Sequence, residues 1–334
     1  PDEREMDVLL STGEIVSTTL MAMALRSMGY SAVSLTGGQA GIWTDETHRK
    51  ARIVAVEAER ITKELDSGKI VVVAGFQGVT RNMDVTTLGR GGSDTTAVAL
   101  AVGLKADKCE IYTDVDGVYT ADPRIVPLAR RLKDIGYEEM LELATWGAKV
   151  MHPRAVELGQ VYNMPILVAS SFNENPGTLI HKGAYMEVRN KVRGIAHDTD
   201  VAKITVMGIP DRPGIAASLF EPLAKTAISI DTIVQNAGLN NITDLTFTVS
   251  KSDLSKAMKI IEPVAKSIGA SKCISDSNLG KVSVVGTGMQ NAPGYAARMF
   301  RALFEAGINI QLITTSEIRI TCIVAQDNIK DAVI

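Results

Sequence analysis

The first half of the chain alternates short apolar runs with longer segments whose apolar residues recur at helical spacing. The short runs predict strands at residues 31–35, 51–56, 70–75, 109–113 and 166–168. The longer segments predict helices at residues 14–28, 57–65, 94–104, 137–145 and 153–162. Because alternating strands and helices form open sheets covered by helices, this pattern predicts an α/β fold with a mostly parallel sheet sandwiched by helices. The β-branched run at 70–75 predicts a strand buried on both faces.

The second half of the chain carries one pattern twice. Residues 203–208 resemble 281–286, the Pro-Gly turn at 213–214 recurs at 293–294, and residues 228–230 resemble 308–310. Strands are predicted at 228–230 and 308–310, closing strands at 243–247 and 316–320, and a helix at 253–268. Strand, turn, helix, strand, strand and helix is the order of a ferredoxin-like βαββαβ unit, here repeated. The polar segment at about 181–200 has no clear period and is predicted to be the linker between the halves.

Composition narrows the class of protein. The chain has 334 residues, of which 46% are hydrophobic and 22% charged, and its net charge is −3. This length predicts two or three globular domains, and the charge argues against a nucleic-acid partner. No signal peptide is visible and no apolar run is expected to reach the length that spans a membrane, so no membrane partner is expected.

The cysteines and histidines exclude two further classes of site. Cys109, Cys273 and Cys322 lie far apart, and the four histidines show no metal-binding spacing. Neither a zinc site nor a disulfide framework is therefore predicted. Each cysteine is expected to be a small buried residue in a reducing compartment, which places the protein in the cytoplasm.

The stretch from Gly89 to Asp94 is the clearest candidate for chemistry. Its three glycines let the backbone approach a ligand closely and adopt positive φ angles. Ser93 or Asp94 is predicted to be the N-cap of the following helix, whose free N–H groups favour an anion. Arg90 adds a planar fork that suits carboxylate or phosphate. The ordinary alternative is a glycine-rich turn that only caps a helix.

Five motifs resemble those of one family. They are Ser-Thr-Gly-Glu at 11–14, Gly-Phe-Gln-Gly at 75–78, Gly-Arg-Gly-Gly-Ser-Asp at 89–94, the run at 113–124, and Ser-Glu-Ile-Arg at 316–319. The chain is similar to aspartate kinases that have an amino-acid-kinase domain followed by two ACT regulatory domains. The resemblance implies transfer of the γ-phosphoryl group of ATP to the β-carboxylate of L-aspartate, the first step towards lysine, threonine and methionine. It therefore implies ATP and Mg²⁺ as cofactors and L-aspartate as substrate.

The resemblance also implies domain boundaries. The kinase domain is expected at 1–180, the linker at 181–200, the first ACT domain at 201–280 and the second at 281–334. The family's Lys-Phe/Tyr-Gly-Gly phosphate loop does not precede Glu14 here. The resemblance implies that the opening strand, this loop and a serine after the second strand are absent from these residues. The second ACT domain is expected to be truncated in its last helix.

The resemblance assigns roles in the kinase domain. Glu14 would hold the substrate ammonium group, Arg90 would pair with its carboxylate, and Asp94 would orient the catalytic lysines. The implied catalytic residues are Asp94, Lys149 and Arg90, and the implied substrate-binding residues are Glu14, Phe76, Arg90, Gly91, Gly92 and Ser93. The implied nucleotide-binding residues are Ser93, Thr113, Asp114, Tyr119, Thr120, Ala121, Asp122, Pro123, Arg124 and Lys149. The ordinary alternatives are a first-turn surface glutamate for Glu14, an N-cap for Asp94 and a solvated lysine for Lys149.

The repeated half suggests a regulatory site for a free amino acid. Asp211 and Asp231 could accept an ammonium group, and the N–H groups after each Pro-Gly turn favour a carboxylate. By resemblance, the effector is threonine, lysine or both. Open sheet edges predict self-association into a homodimer or larger. The candidate effector residues are Asp211, Pro213, Gly214, Ile215, Ala216, Ile228, Ser229, Ile230, Asp231, Gln235, Asn236, Thr243, Asp244, Tyr295, Ala296, Asn309, Ile310, Ser316 and Glu317.

Two other functions compete with a catalytic aspartate kinase. One is a non-catalytic regulatory chain that binds amino acids, which the missing phosphate loop would suit. The other is a different kinase of the same fold, such as a glutamate or uridylate kinase. The tandem ACT units and the Arg90 motif argue against the second alternative.

Overall fold

The computed structural model describes residues 2–183, 192–226, 228–236, 241–289 and 293–334. The chain divides into two compact units. Unit 1 comprises Pro1–Thr120 and Arg130–Glu187, and unit 2 comprises Ala121–Ala129 and Val188–Ile334. The middle of the expected linker, at 184–191, and the turn residues 291–292 lie outside the described residues.

Unit 1 contains the alternating helices and strands that the sequence predicts. In chain order they are α1 (Glu3–Ser27), β1 (Ala32–Leu35), β2 (Ile42–Thr44), β3 (Ile53–Val56), α2 (Glu59–Asp66), β4 (Ile70–Val73), β5 (Gln77–Val79), β6 (Val85–Thr87), α3 (Gly92–Gly103), β7 (Cys109–Thr113), β8 (Asp134–Gly136), α4 (Tyr137–Thr145), α5 (Pro153–Tyr162), β9 (Ile166–Ser170) and β10 (Thr178–His181). The predicted helices and strands of this half are confirmed in type.

The strands that the structure describes in unit 1 form three sheets. β1 pairs with β4 in parallel, β7 pairs with β9 in parallel, and β10 joins β9 to β8. A separate mixed sheet has the order β3-β2-β5-β6. β4 is not buried on both faces, because Ile70 is 42% exposed and the rest of the strand is half-buried. That expectation was wrong because, among the described strands, β4 pairs with β1 alone, and a cavity lies against its valines.

Helix α1 is longer than the sequence pattern predicts. It begins at Glu3, where the Asp2 side chain accepts a hydrogen bond from the Glu5 amide at 3.1 Å. Two acidic residues in its first turn complement the helix dipole, and no proline interrupts it. Glu14 therefore lies in the middle of the helix, and its interpretation as a surface residue in a first turn is wrong.

Helix α1 also corrects the expectation that no apolar segment reaches membrane-spanning length. Among the described residues, it is the one helix that is long and apolar enough to cross a membrane by length and composition. The helix nevertheless makes a buried contact with the rest of unit 1. Its Asp7 side chain accepts hydrogen bonds from the Arg49 amide at 2.9 Å and from Thr87 Oγ1 at 2.5 Å. Burial alone would raise the pKa of Asp7, but hydrogen bonds from Thr87, the Arg49 amide and His48 outweigh it and lower that pKa.

Unit 2 contains two ferredoxin-like halves. Its elements are β11 (Gly194–Pro210), α6 (Ile215–Lys225), β12 (Ile233–Gln235), β13 (Ile242–Val249), α7 (Lys251–Ser267), β14 (Lys272–Val285), α8 (Tyr295–Glu305), β15 (Leu312–Ser316), β16 (Arg319–Ala325) and α9 (Ile329–Val333). Helices α6 and α8 begin directly after the Pro-Gly turns, with Gly214 and Gly294 as N-caps at φ angles of 93° and 98°. The repeated unit predicted from the sequence is therefore confirmed.

The two halves share their longest strands within one sheet of order β12-β13-β11-β14-β16-β15. Residues 201–207 of β11 pair with 272–279 of β14, whereas residues 194–198 pair with 281–285. The first half is therefore completed by its own last strand at 272–279, whereas residues 194–198, which precede the first half, supply the fourth strand beside 281–285 of the second half. Residues 194–200 begin a strand and do not form the predicted linker, because their pairing partners lie far along the chain.

Three predicted strands of unit 2 are wrong in position. The short strands begin at Ile233 and Leu312, not at 228–230 and 308–310. Ile228 and Ile308 instead bury their side chains just before these strands, which explains why the sequence looks apolar there. The predicted strand at 316–320 is interrupted, because β15 ends at Ser316 and β16 begins at Arg319.

A hairpin-like excursion, residues 121–129, connects the two units covalently. Ala121, Ile125, Val126 and Ala129 pack in one core cluster of unit 2, which includes Val282. The residues that flank the excursion pair with each other in unit 1, since the Thr120 amide donates to the Arg130 carbonyl at 2.9 Å. The tip of this hairpin therefore belongs to unit 2 and its stem to unit 1.

Candidate active site

The glycine-rich stretch forms a tight loop in front of α3. Gly91 is the N-cap of α3 at a φ angle of 72°, and no side chain caps the helix. The prediction that Ser93 or Asp94 is the N-cap is therefore wrong, because the left-handed conformation that starts the helix requires glycine. A Cβ at Gly91 would lie 2.1 Å from His152 Cγ, so the loop is also packed tightly against the start of α5.

Phe76, a predicted substrate-binding residue, packs against this loop. Its amide donates to Thr96 Oγ1 at 3.1 Å, and its carbonyl accepts from the Leu88 amide at 2.9 Å. A Cβ at Gly92 would lie 2.9 Å from Phe76 Cδ2. The structure therefore brings together two motifs that are separated in the sequence.

Glu14 lines a cavity of about 510 Å³ together with Gly75 and Ser93. Its Oε2 atom is buried and has no hydrogen-bond partner among the described residues. The remaining wall comprises mainly apolar side chains of α2, β4 and α3. A buried carboxylate oxygen without a partner is costly, so this atom favours a cation that enters the cavity. One cavity is therefore lined both by Glu14, the predicted ammonium ligand, and by Ser93 of the predicted anion-binding loop.

Two cationic side chains are available for an anionic ligand. Arg90 and Lys149 are exposed, and neither has a hydrogen bond or ion pair with any residue that the structure describes. Asp94 is half-buried and accepts a hydrogen bond from the His152 amide at 3.4 Å. Burial raises the pKa of the Asp94 carboxyl, and the His152 amide offsets only part of that effect.

His152 links the loop to helix α5. Its ring caps α5 by accepting a hydrogen bond from the Arg154 amide at 3.3 Å, and Pro153 begins the helix. Burial and the neighbouring Arg154 lower the pKa of His152, so its ring is neutral at pH 7. The sequence pattern missed this role, although a residue directly before a proline at a helix start is a recognisable N-cap position.

The turn after β7 holds the first predicted nucleotide-binding residues. Asp114 is exposed, and its Oδ1 accepts a hydrogen bond from Thr113 Oγ1 at 3.1 Å. Asp116, by contrast, accepts from Tyr119 Oη at 3.0 Å and from Asn175 Nδ2 at 2.8 Å. Of the two aspartates in this turn, Asp114 is therefore the more exposed and has fewer of its acceptor sites in use.

A buried threonine supports this turn from β10. Thr178 Oγ1 accepts from the Val118 amide at 2.9 Å and donates to the Leu132 carbonyl at 2.6 Å. Gly117 lies beside it at a φ angle of 138°, and a Cβ there would lie 2.5 Å from the same oxygen. Nothing in the local sequence pattern singles out Thr178, because its partners are distant along the chain.

The later nucleotide-binding candidates are divided between the two units. Tyr119 and Thr120 lie in unit 1, whereas 121–124 belong to unit 2. Both carboxylate oxygens of Asp122 accept hydrogen bonds from the Arg124 side chain, at 3.0 Å and 2.8 Å, and this pairing lowers the pKa of Asp122 despite burial. Ala121 is buried in the core of unit 2, so its side chain is a packing residue.

The described residues contain no group of three or more side chains with metal-ligating geometry. The three cysteines are free thiols, with Cys109 and Cys322 buried and Cys273 half-buried. Burial raises the pKa of both Cys109 and Cys322 to about 11, so these thiols are protonated at neutral pH. Cys109 and Cys322 are therefore unreactive packing residues.

Asp231, a predicted ammonium acceptor in unit 2, already has a cationic partner. Its Oδ2 atom accepts a hydrogen bond from the Lys281 ammonium. Lys281 is only 5% exposed, and its Nζ atom lies 3.8 Å from a carboxylate oxygen of Asp198. Sequence reasoning missed Lys281, because its position in the strand that both halves share becomes clear only from the sheet register.

The other effector candidates lie mainly in turns and at helix starts. Asp244 accepts a hydrogen bond from the Gly208 amide at 2.8 Å, Thr243 donates to the Asn236 carbonyl, and Arg298 lies 4.5 Å from the Tyr295 ring centroid. Asp211 and Gly214 precede α6, and Gln235 ends β12. Pro213, Ile215, Ala216 and Ala296 lie at the two helix starts, Ile228, Ser229, Ile230, Asn309 and Ile310 precede short strands, and Ser316 and Glu317 lie at a hairpin turn.

Comparison with families of known proteins covers both units. Residues 2–170 match the amino acid kinase family, and residues 204–263 and 282–334 match the ACT domain. The chain is 50% identical over 335 residues to an aspartokinase from Pseudomonas aeruginosa, an alignment that covers 100% of this chain and 81% of that protein. It is 49% identical to an aspartokinase from Corynebacterium glutamicum, with 99% of this chain and 80% of that protein covered.

Solved structures give the same result at lower identity. The fold is similar to E. coli aspartokinase III in complex with aspartate and ADP in the R-state, with a TM-score of 0.83 and 27% identity over 100% of this chain and 75% of that one. It is also similar to E. coli aspartokinase III in complex with lysine and aspartate in the T-state, with a TM-score of 0.77, 27% identity and the same coverage. The predicted fold class is thereby confirmed.

Proposed function

The chain belongs to the aspartokinase family, and we propose that it transfers the γ-phosphoryl group of ATP to the β-carboxylate of L-aspartate. The product is 4-phospho-L-aspartate, an acyl phosphate. The observation that carries this proposal is the unpartnered Glu14 oxygen in a cavity shared with Gly75 and Ser93. A zwitterionic amino acid meets both requirements of this region, since its ammonium group suits Glu14 and its carboxylates suit the anion loop.

The substrate is positioned by opposite charges at its two ends. Glu14 binds the ammonium group, and Arg90 pairs with a carboxylate by a bidentate contact. The backbone at Gly91, Gly92 and Ser93 starts α3. The Gly92 amide already donates to the Gly89 carbonyl at 3.0 Å, so the N–H groups for negative charge come from Gly91 and Ser93. Phe76 forms one side of the proposed site, because it packs against Gly92 of the loop.

Phosphoryl transfer requires positioning and charge neutralisation more than covalent help from the protein. A β-carboxylate oxygen of aspartate forms a bond to the γ-phosphorus, and the bond from that phosphorus to the bridging oxygen breaks to release ADP. Lys149 neutralises phosphate charge, and Asp94 orients the cationic groups. Mg²⁺ bound with ATP would neutralise charge on the transferred phosphoryl group, and phosphate oxygens and waters would be its main ligands, so it would need no three-ligand protein site.

The nucleotide occupies the turn after β7. Thr113 and Asp114 are the best-supported contacts, because Asp116 is already engaged by Tyr119 and Asn175. Tyr119 and Thr120 contribute backbone and ring surface. Ser93 and Lys149 face the phosphates, and the remaining nucleotide-binding candidates are Ala121, Asp122, Pro123 and Arg124.

Regulation is proposed for unit 2. The E. coli aspartokinase III that resembles this chain binds lysine, and the ACT match covers both halves of this unit. Lysine, threonine or both inhibit this enzyme by binding near the Pro-Gly helix starts, and sheet edges of unit 2 join copies of the chain. The enzyme acts in the cytoplasm, where its free thiols remain reduced.

A direct assay separates this function from the competing ones. The intact enzyme is incubated with Mg-ATP and an amino acid, and hydroxylamine traps the acyl phosphate as a coloured hydroxamate. Aspartate should give hydroxamate, whereas glutamate should not. Uridine monophosphate is tested in parallel by ADP release, because its product UDP is not an acyl phosphate and gives no hydroxamate. Neither hydroxamate nor substrate-dependent ADP release with any of the three would favour a non-catalytic regulatory chain.

The Arg90→Ala variant tests the assigned carboxylate contact in the same assay. Removal of one partner of a close charge pair costs about 2–5 kcal/mol. The KM for aspartate should therefore rise far more than the KM for ATP. Equal small changes in both KM values would contradict the assignment of Arg90 to the aspartate carboxylate.

A further inference from the structure

Arg154 joins two separate segments beside the anion loop. Its Nη1 atom donates to the Leu88 carbonyl at 2.7 Å, and its Nη2 atom donates to the Ala51 carbonyl at 2.9 Å. Leu88 and Ala51 are both buried, with exposures of 1% and 0%. The guanidinium of one half-buried side chain therefore holds two buried backbone segments in a fixed relation.

These two segments meet directly at the loop that carries Arg90. The Ala51 amide donates to the Thr87 carbonyl at 3.0 Å. A Cβ at Gly89 would lie 2.8 Å from the Arg49 carbonyl oxygen, so the backbone of residues 49–51 is close behind Gly89. The Leu88 carbonyl belongs to the peptide unit that leads into Gly89, and its orientation sets the start of the loop.

We propose that Arg154 is a positioning residue that fixes Arg90 and the loop N–H groups in the geometry that binds the aspartate carboxylate. This inference rests on the proposed function, because it assigns a purpose to the loop as an aspartate site. Arg154 acts through the backbone and does not touch the substrate. An arginine is required because its planar fork presents two donors at fixed angles, whereas a lysine ammonium is a single point charge.

A structural strap without a role in binding would behave differently. Its loss would lower the free energy of unfolding and reduce the concentration of folded enzyme, but the KM values of the folded fraction would be unchanged. A positioning residue changes the KM for one substrate more than for the other. The ratio of the two KM changes therefore distinguishes the two roles.

The test compares Arg154→Ala and Arg154→Lys in the intact enzyme by steady-state kinetics with aspartate and Mg-ATP. A misplacement of about 1 Å can cost on the order of 100-fold in an enzyme site. Arg154→Ala should raise the aspartate KM by about tenfold or more, with the ATP KM changed by less than about twofold. Arg154→Lys should lie between wild type and Arg154→Ala, and added guanidinium ion should partly restore the Ala variant.

Arg60→Ala is the matched control. Arg60 is an arginine of unit 1 whose side chain bonds to Glu64 at 2.8 Å, and its loss should leave both KM values unchanged. An aspartate KM within twofold of wild type in folded Arg154→Ala, or equal changes for both substrates, would overturn the positioning role. If Arg154→Ala does not fold, the Lys variant supplies the same comparison. Absence of wild-type activity with aspartate overturns the proposed function itself, which separates the two failures.

Discussion

Neutralising Glu14 tests the substrate site, because it should weaken aspartate binding without lowering the stability of the unligated enzyme. Glu14→Gln keeps the shape of the side chain but removes its negative charge. The wild-type carboxylate has a buried oxygen with no partner among the described residues, in a cavity of about 510 Å³. The unligated enzyme therefore bears a desolvation cost that the substrate ammonium group would relieve.

The expected loss of aspartate affinity follows from the hydrogen bond that the substrate ammonium group would make to Glu14. A hydrogen bond to a charged group contributes about 1.5–3 kcal/mol, which is roughly a tenfold to hundredfold change in affinity. Aspartate binding should weaken by this factor in Glu14→Gln. Stability of the unligated enzyme should stay the same or increase, because a buried amide is less costly than an unpaired buried carboxylate.

Two measurements on one preparation decide the outcome. Isothermal titration calorimetry gives the Kd for L-aspartate, and thermal unfolding without ligand gives the Tm. Glu3→Gln provides the control, because Glu3 is exposed on the same helix. Unchanged aspartate affinity, or a Tm clearly below that of wild type, would refute the assignment of Glu14 as an ammonium ligand.

Two further substitutions test the packing of each unit. Gly91→Ala should lower the free energy of unfolding by about 1–2 kcal/mol, because alanine disfavours the left-handed conformation, and the clash with His152 should add a further loss. Gly68→Ala is the control, because Gly68 has the same left-handed conformation but open space around it. Equal losses in the two variants, measured by urea denaturation, would exclude the His152 contact. Lys281→Met should lower the free energy of unfolding modestly, because Asp231 loses its ammonium partner but is solvent-exposed. Asp231→Asn in the same chain should offset part of that loss, and additive effects in the double-mutant cycle would contradict the pairing.

Local periodicity was sufficient to predict the types of most elements of unit 1 and the repeated order of unit 2. It failed where distant segments decide the structure. Residues 194–198 are a short segment, Gly-Ile-Ala-His-Asp, that has no clear strand period, and they form a strand by pairing with residues 281–285. The register of that pairing cannot be read from either segment alone.

The same limit explains the outcome for the candidate site. The glycine-rich loop was identifiable because backbone conformation leaves a direct signature in the sequence. Arg154, Thr178 and Lys281 were missed because each acts on partners that are far along the chain. The assigned ligand contacts of Glu14, Arg90 and the nucleotide turn stay predictions.

The excursion at 121–129 has a consequence for how this protein can be taken apart or recombined. A fragment that starts near residue 195 would lack Ile125, Val126 and Ala129, which complete a core cluster of unit 2. A fragment that ends near residue 180 would carry those apolar side chains without the strands that cover them. A chimaera that exchanges regulatory halves between relatives must therefore transfer two separate stretches of sequence, and a single crossover would leave both products with a defective core.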